Sequence, residues 1–120
     1  MLVHAQQAAA VCGKLKYGSL GTIETLFLSE DRFGFLEMNT RIQVEHGVTE
    51  AVTGLDLVKQ QLNLFMGKKL PRQEEITRSG FAMEARLYAE DPETMYPSTG
   101  VLHTFSPPNM HGVRVETGYQ

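Results

Sequence analysis

With one cysteine in 120 residues, Cys12, the chain has no means of forming an internal disulfide, which fits a reducing compartment. A small apolar residue of this kind is read as a buried packing element. No apolar run approaches the roughly 18 residues that a membrane-crossing helix needs. The first residues, MLVHAQQAAA, lack the basic start and apolar core of a secretory signal. The net charge of −3 points neither to a basic surface for nucleic acid nor to an acidic tail. Internal repeats and low-complexity segments are absent as well. What remains is a hydrophobic content of 42% with 11 glycines, ordinary for a globular protein, in a length that suits one domain at most.

The most informative stretch is 35–50, FLEMNTRIQVEHGVTE. Taken at every second residue it reads Glu37, Asn39, Arg41, Gln43, Glu45, with Met38, Thr40, Ile42 and Val44 between them. An extended chain points successive side chains to opposite faces, so the polar series falls on one side. Alternation alone describes a half-buried strand with a solvated face. This face, however, is graded: carboxylate, amide, guanidinium, amide, carboxylate.

The segment 21–28, GTIETLFL, is a strand by its β-branched and large apolar residues. Turn residues follow at 29–32, and 33–39 returns as a second strand. The hairpin register then sets Thr22 against Asn39, Glu24 against Glu37, and Leu26 against Phe35. Facing like charges are destabilising. A facing carboxylate pair with apolar neighbours shares a proton, stays solvated, or holds a cation. With the amide oxygen of Asn39 it makes a hard, all-oxygen set suited to Mg²⁺ or Mn²⁺.

Elsewhere the pattern alternates helix and loop. Residues 1–17 read as a helix with Lys14 and Lys16 in its last turn and Gly18 as its stop. His4 is read as a surface residue. Gly47 is expected to break the polar strand, and Thr49 with Glu50 to start and cap a short helical turn ending near Gly54. His46 would point away from Glu45 in an extended chain and is read as structural. Asp56 opens a further helix to Phe65, closed by Gly67. The polar, proline-bearing stretch 67–78 is a connection, with Lys68 and Lys69 as solvated charges. Strands are expected over 80–89, 101–105 and 113–117, with loops at 91–100 and at Pro107-Pro108.

The strings FLEMNTRIQVEHGVTEAVTGLDLVKQQL, FAMEARLYAEDP and PSTG resemble biotin carboxylase, the ATP-grasp component of acyl-CoA, pyruvate and urea carboxylases. The resemblance spans about 17–119 and matches only the later part of the family's domain. It implies an α+β fold: the later half of an ATP-grasp domain over 1–66, a linker over 67–78, and the start of the β-rich C-terminal domain over 79–120. Gly47 stands where most members have proline, and Thr25 where phenylalanine is usual. EARLYAEDP leans towards the acyl-CoA and urea types.

In that family ATP phosphorylates bicarbonate, the carboxyphosphate releases CO₂, and N1 of biotin attacks it. By resemblance, Glu24, Glu37 and Asn39 match the ligands of the nucleotide-bound Mg²⁺ or Mn²⁺. Arg41, Gln43 and the backbone at Val44 match bicarbonate contacts. Glu45 matches the base that takes the bicarbonate proton, and Arg86 matches the arginine on the biotin ureido oxygen. The cofactors implied are ATP, the divalent metal, bicarbonate and biotin on a carrier protein. The partners implied are the biotin carboxyl carrier protein or domain, a carboxyltransferase component and a second copy in a homodimer, with neither nucleic acid nor membrane. The implied location is the cytoplasm, or the mitochondrial matrix in a eukaryote. The family's glycine-rich lid and ATP-binding lysines lie upstream of the matched residues, so the chain is expected to be a fragment, inactive alone. A non-catalytic module that keeps the fold and binds a metal or partner is the alternative.

Overall fold

The computed structural model describes residues 2–29 and 32–118, and the side chains from Ala5 onward. The surface reading of His4 and the Glu30-Asp31 turn therefore lie outside the described residues. Two compact units divide the chain at Met1–Ala85 and Arg86–Gln120.

The first unit begins with α1, Leu2–Lys14. It does not run to Gly18. Lys16 takes the left-handed conformation (φ +52°). Its N–H bonds Gly13 O at 3.1 Å while the Tyr17 N–H bonds Cys12 O at 3.0 Å. This paired closure satisfies the last carbonyls without a glycine. The Tyr17 hydroxyl then donates to Leu20 O at 2.9 Å, folding the connection back. Cys12 is half-buried.

The hairpin follows as β1, Thr22–Ser29, and β2, Arg32–Asn39, antiparallel. Thr22 pairs with Asn39 and Glu24 with Glu37, as the register predicts. Leu26 does not face Phe35: it pairs with Gly34, and Phe35 pairs with Thr25. Two irregularities cause this. Leu28 has no opposite in β2, and Leu36 has none in β1, so the ladder slips by one and then slips back. Gly21 precedes β1 for a packing reason. A Cβ there would come within 3.0 Å of both Asn39 O and Met38 Cε.

The alternation beyond Asn39 does not remain extended. The strand ends at Asn39 because its partner begins at Thr22, leaving 40–45 without a ladder to bond to. The backbone is satisfied locally instead, by His46 N–H to Gln43 O (3.2 Å) and Val48 N–H to Glu45 O (3.1 Å). Helix α2, His46–Thr53, starts from that turn. Gly47 lies in its first turn and breaks nothing, and Thr49 and Glu50 are inside it. Gly54 (φ +70°) closes it, donating its N–H to Glu50 O at 2.8 Å.

Helix α3, Leu57–Phe65, has Asp56 as its N-cap, the carboxylate accepting from Lys59 N at 2.8 Å. A second carboxylate helps. Glu50, 7% exposed and the one buried residue among those described, accepts from Leu57 N at 2.6 Å. The helices are thus joined by a buried acceptor that reaches across the Gly54 turn. Substituting Glu50→Ala should destabilise the fold by about 1–3 kcal/mol, the cost of stranding a half-buried donor. Glu50→Gln, which keeps an acceptor oxygen, should cost less. Urea unfolding of the two variants decides it, and equal losses would contradict the capping role.

Residues 67–79 run back to α2, where Ser79 N–H meets Val52 O at 2.8 Å. A turn of 3-10 helix, Gln73–Glu75, is clasped by Arg72, whose Nε donates to Glu75 Oε1 at 2.8 Å. Bonds from the Arg72 backbone and guanidinium hold the Glu75 carboxyl below its usual range. Exposed pairs of this kind add little stability.

The expected strands over 80–89, 101–105 and 113–117 are not formed. A strand needs a neighbour for its N–H and C=O groups, and 86–118 offers one isolated bridge, Glu90 with Pro97. Phe81, Met83 and Leu87 are 97%, 95% and 90% exposed, so their alternation buries nothing here. The local order of the second unit is a turn built on Asp91. Its carboxylate accepts from Thr94 N (2.8 Å), Thr94 Oγ1 (2.9 Å) and Glu93 N (3.0 Å), which lowers its pKa, Thr94 contributing most. No apolar side chain among the described residues is fully buried.

Candidate active site

The site is assembled where the hairpin ends and α2 begins. β1 supplies Glu24 and β2 supplies Glu37 and Asn39, one ladder pair and the residue two further along the same face. Asn39 Nδ2 donates to Glu24 Oε1 at 2.7 Å and to Glu37 Oε1 at 3.3 Å. The Gln43 amide, from the turn after β2, donates to Glu24 Oε1 at 3.1 Å. Glu24, Asn39 and Gln43 are half-buried, while Glu37 is exposed. The like charges of the pair are therefore offset by two amide donors, each charge-assisted bond contributing about 1 kcal/mol or somewhat more.

The donor set fits a divalent cation. Two carboxylates and one primary amide converge, all hard ligands, and the amide bridging them presents an oxygen once it turns over. Among the described residues no three His, Cys, Asp or Glu side chains converge. The set thus depends on the amide as its third member.

The other residues singled out by the sequence lie on the turn after β2 and in the second unit. Arg41 is exposed and donates from Nη1 to Ile42 O at 3.1 Å. Glu45 is the N-cap residue of α2 (φ −70°, ψ 6°), and its side chain makes no capping bond. Val44 lies between them in the turn. Arg86 is exposed on irregular chain at the start of the second unit. His46 turns its Nδ1 to Gln43 O at 2.9 Å and to Val44 O at 3.2 Å. Its contacts are with backbone, as a structural reading expects. The reason differs, since the chain at Glu45 is a turn and not extended.

Two relations escaped sequence reasoning. Gln43 touches Glu24, nineteen residues earlier, because 40–45 curls back over the hairpin end instead of running on. Glu50 bonds the start of α3 and not that of its own helix. The one available signal was an acidic residue seven positions before an Asp-Leu helix start.

The facing carboxylate pair thus lies on adjacent antiparallel strands, followed by a polar turn and helices, in a small α+β arrangement. The fold agrees with solved structures. The biotin carboxylase–β,γ-ATP complex from Campylobacter jejuni superposes with a TM-score of 0.70 and 40% identity, over 77% of this chain and 21% of that one. The biotin carboxylase domain dimer of Hydrogenobacter thermophilus 2-oxoglutarate carboxylase, solved with MgADP, ADP and bicarbonate, gives 0.66 and 43%, over 72% and 19%. Residues 2–73 match the family described as carbamoyl-phosphate synthase L chain, ATP binding domain, and the chain belongs to that family. Among its relatives, biotin carboxylase 2 of Bacillus subtilis is 50% identical over 112 residues, 92% of this chain and 25% of that protein. The mitochondrial propionyl-CoA carboxylase alpha chain of Mus musculus is 49% identical over 119 residues, 96% and 16%. The chain thus spans a quarter or less of the length of these curated relatives.

Proposed function

We propose that this chain is the metal- and bicarbonate-handling segment of a biotin carboxylase, which carboxylates carrier-bound biotin using ATP and bicarbonate. The observation that carries the reading is the Glu24–Glu37 pair bridged by Asn39, with Gln43 tied to Glu24. Glu24, Glu37 and Asn39 would hold the nucleotide's Mg²⁺ or Mn²⁺, which neutralises phosphate charge during phosphoryl transfer. Arg41 offers a planar fork to the trigonal bicarbonate, and Gln43 and the Val44 amide add donors. Glu45 takes the bicarbonate proton. Arg86 is assigned to the biotin ureido oxygen, where a guanidinium stabilises the developing negative charge.

The same reading assigns as partners a biotin carboxyl carrier protein or domain, a carboxyltransferase component and a second copy in a homodimer. The location assigned is the cytoplasm or mitochondrial matrix; among the described residues no helix is long and apolar enough to cross a membrane. A non-catalytic module is disfavoured because every charged member of the costly polar series is present.

Arg41→Ala tests the anion assignment. In the full-length carboxylase bearing this sequence it should raise KM for bicarbonate about 10–100-fold, as expected for loss of a charged hydrogen-bond donor. Nucleotide binding should stay near normal. An unchanged KM for bicarbonate would remove Arg41 from the site.

A further inference from the structure

We propose that His46 is a positioning residue that aims the backbone N–H groups of Val44 and Glu45 at the bicarbonate ion. The inference rests on the bicarbonate site proposed above and adds a device to it. Both oxygens facing His46 Nδ1, Gln43 O at 2.9 Å and Val44 O at 3.2 Å, are carbonyls and can only accept. Nδ1 therefore carries the proton, which fixes the tautomer of the neutral ring.

The consequence follows from peptide geometry. No cis peptide bond occurs among the described residues, and in a trans peptide C=O and N–H point in opposite directions. Gln43 C=O shares its peptide with Val44 N–H, and Val44 C=O shares its peptide with Glu45 N–H. With the His46 backbone N–H also on Gln43 O at 3.2 Å, the imidazole draws both carbonyls to one side and so turns both N–H groups to the other. Successive N–H groups held on one side form an anion-binding concavity whose cost of ordering is met before the ligand arrives. The Gln43 side chain meanwhile donates to Glu24 Oε1 at 3.1 Å. One residue is thus held from its carbonyl by His46 and from its amide by the carboxylate cluster, tying the anion donors to the metal ligands.

The test compares three variants in the full-length carboxylase bearing this sequence, using bicarbonate as the probe. His46→Ala should raise KM for bicarbonate about tenfold, the worth of roughly one hydrogen bond, with KM for ATP changed by less than about twofold. His46→Asn should recover most of that loss, because the Asn amide nitrogen stands near the place of Nδ1. His46→Gln, which puts its amide nearer the place of Nε2, should not. Long-range ¹H–¹⁵N NMR on histidine-labelled protein should show His46 as the Nδ1–H tautomer, its signal assigned by its loss in His46→Asn. A ring protonated only at Nε2 overturns the proposal. So does an unchanged KM for bicarbonate in His46→Ala, or equal recovery by Asn and Gln. Arg41→Ala separates the two levels: if it too leaves KM for bicarbonate unchanged, the site assignment fails, and if it alone raises it, only the role of His46 fails.

Discussion

Glu37→Gln should lower ATP cleavage in the full-length carboxylase about a hundredfold or more at limiting Mg²⁺, and move the Mg²⁺ midpoint to higher concentration. The exchange keeps the side chain's size and one oxygen and removes a single negative charge. Two unit charges about 4 Å apart interact by roughly 4 kcal/mol at the effective dielectric of a protein surface. The exposed position of Glu37 screens part of that, yet a hundredfold effect needs only about 2.7 kcal/mol. Glu24 cannot compensate, because its Oε1 already accepts from Asn39 and Gln43 and would be left as the only full charge in the set. Stability should move the other way. In the metal-free protein Glu37→Gln removes a like charge facing Glu24 in the ladder, a gain of up to about 1 kcal/mol in urea unfolding. Opposite signs for function and stability are the signature of a cation site. An unchanged Mg²⁺ dependence would leave a solvated or proton-sharing pair as the correct description.

The Glu24–Glu37 pairing was legible in the sequence even though the intervening register was not. Counting back from the turn places Glu24 opposite Glu37 only if the ladder is regular or if its slips cancel, and here Leu28 and Leu36 cancel. Nothing in the runs Leu26-Phe27-Leu28 and Phe35-Leu36 marks either irregularity, since each is apolar throughout. Asp56 and Gly67 announced α3 by local chemistry, a side-chain cap at one end and a positive φ at the other. Alternation was a poorer guide. Residues 40–45 and 80–89 carry the period of a strand, yet period reports which side chains would share a face, not whether a neighbour supplies the hydrogen bonds. At 40–45 the missing neighbour has a chemical consequence: the curl brings Gln43 to Glu24 and His46 to two carbonyls, contacts that an extended chain would not make. The resemblance names the anion residues as a set along the chain, while the spatial relation of Gln43 to Glu24 comes from the turn.

Glu45→Gln should reduce turnover about 10²–10⁴-fold in the full-length carboxylase, the range for removing a positioned general base, with KM for bicarbonate changed far less. The amide retains the shape of the carboxylate but cannot take a proton from bicarbonate. The fold around it should survive. Glu45 is the N-cap of α2 without a side-chain capping bond, and the turn's own backbone bonds and His46 hold the helix start. An equal melting midpoint for variant and parent would show this. The pH profile supplies a second readout: the acid limb of turnover, where the base becomes protonated, should vanish in the variant. The contrast with Arg41→Ala carries the assignment. One change should act on the chemical step and the other on anion binding, although both residues lie on the same six-residue curl. Near-normal turnover of Glu45→Gln at saturating bicarbonate would mean that the proton leaves by another route, with Glu45 serving only to shape the turn.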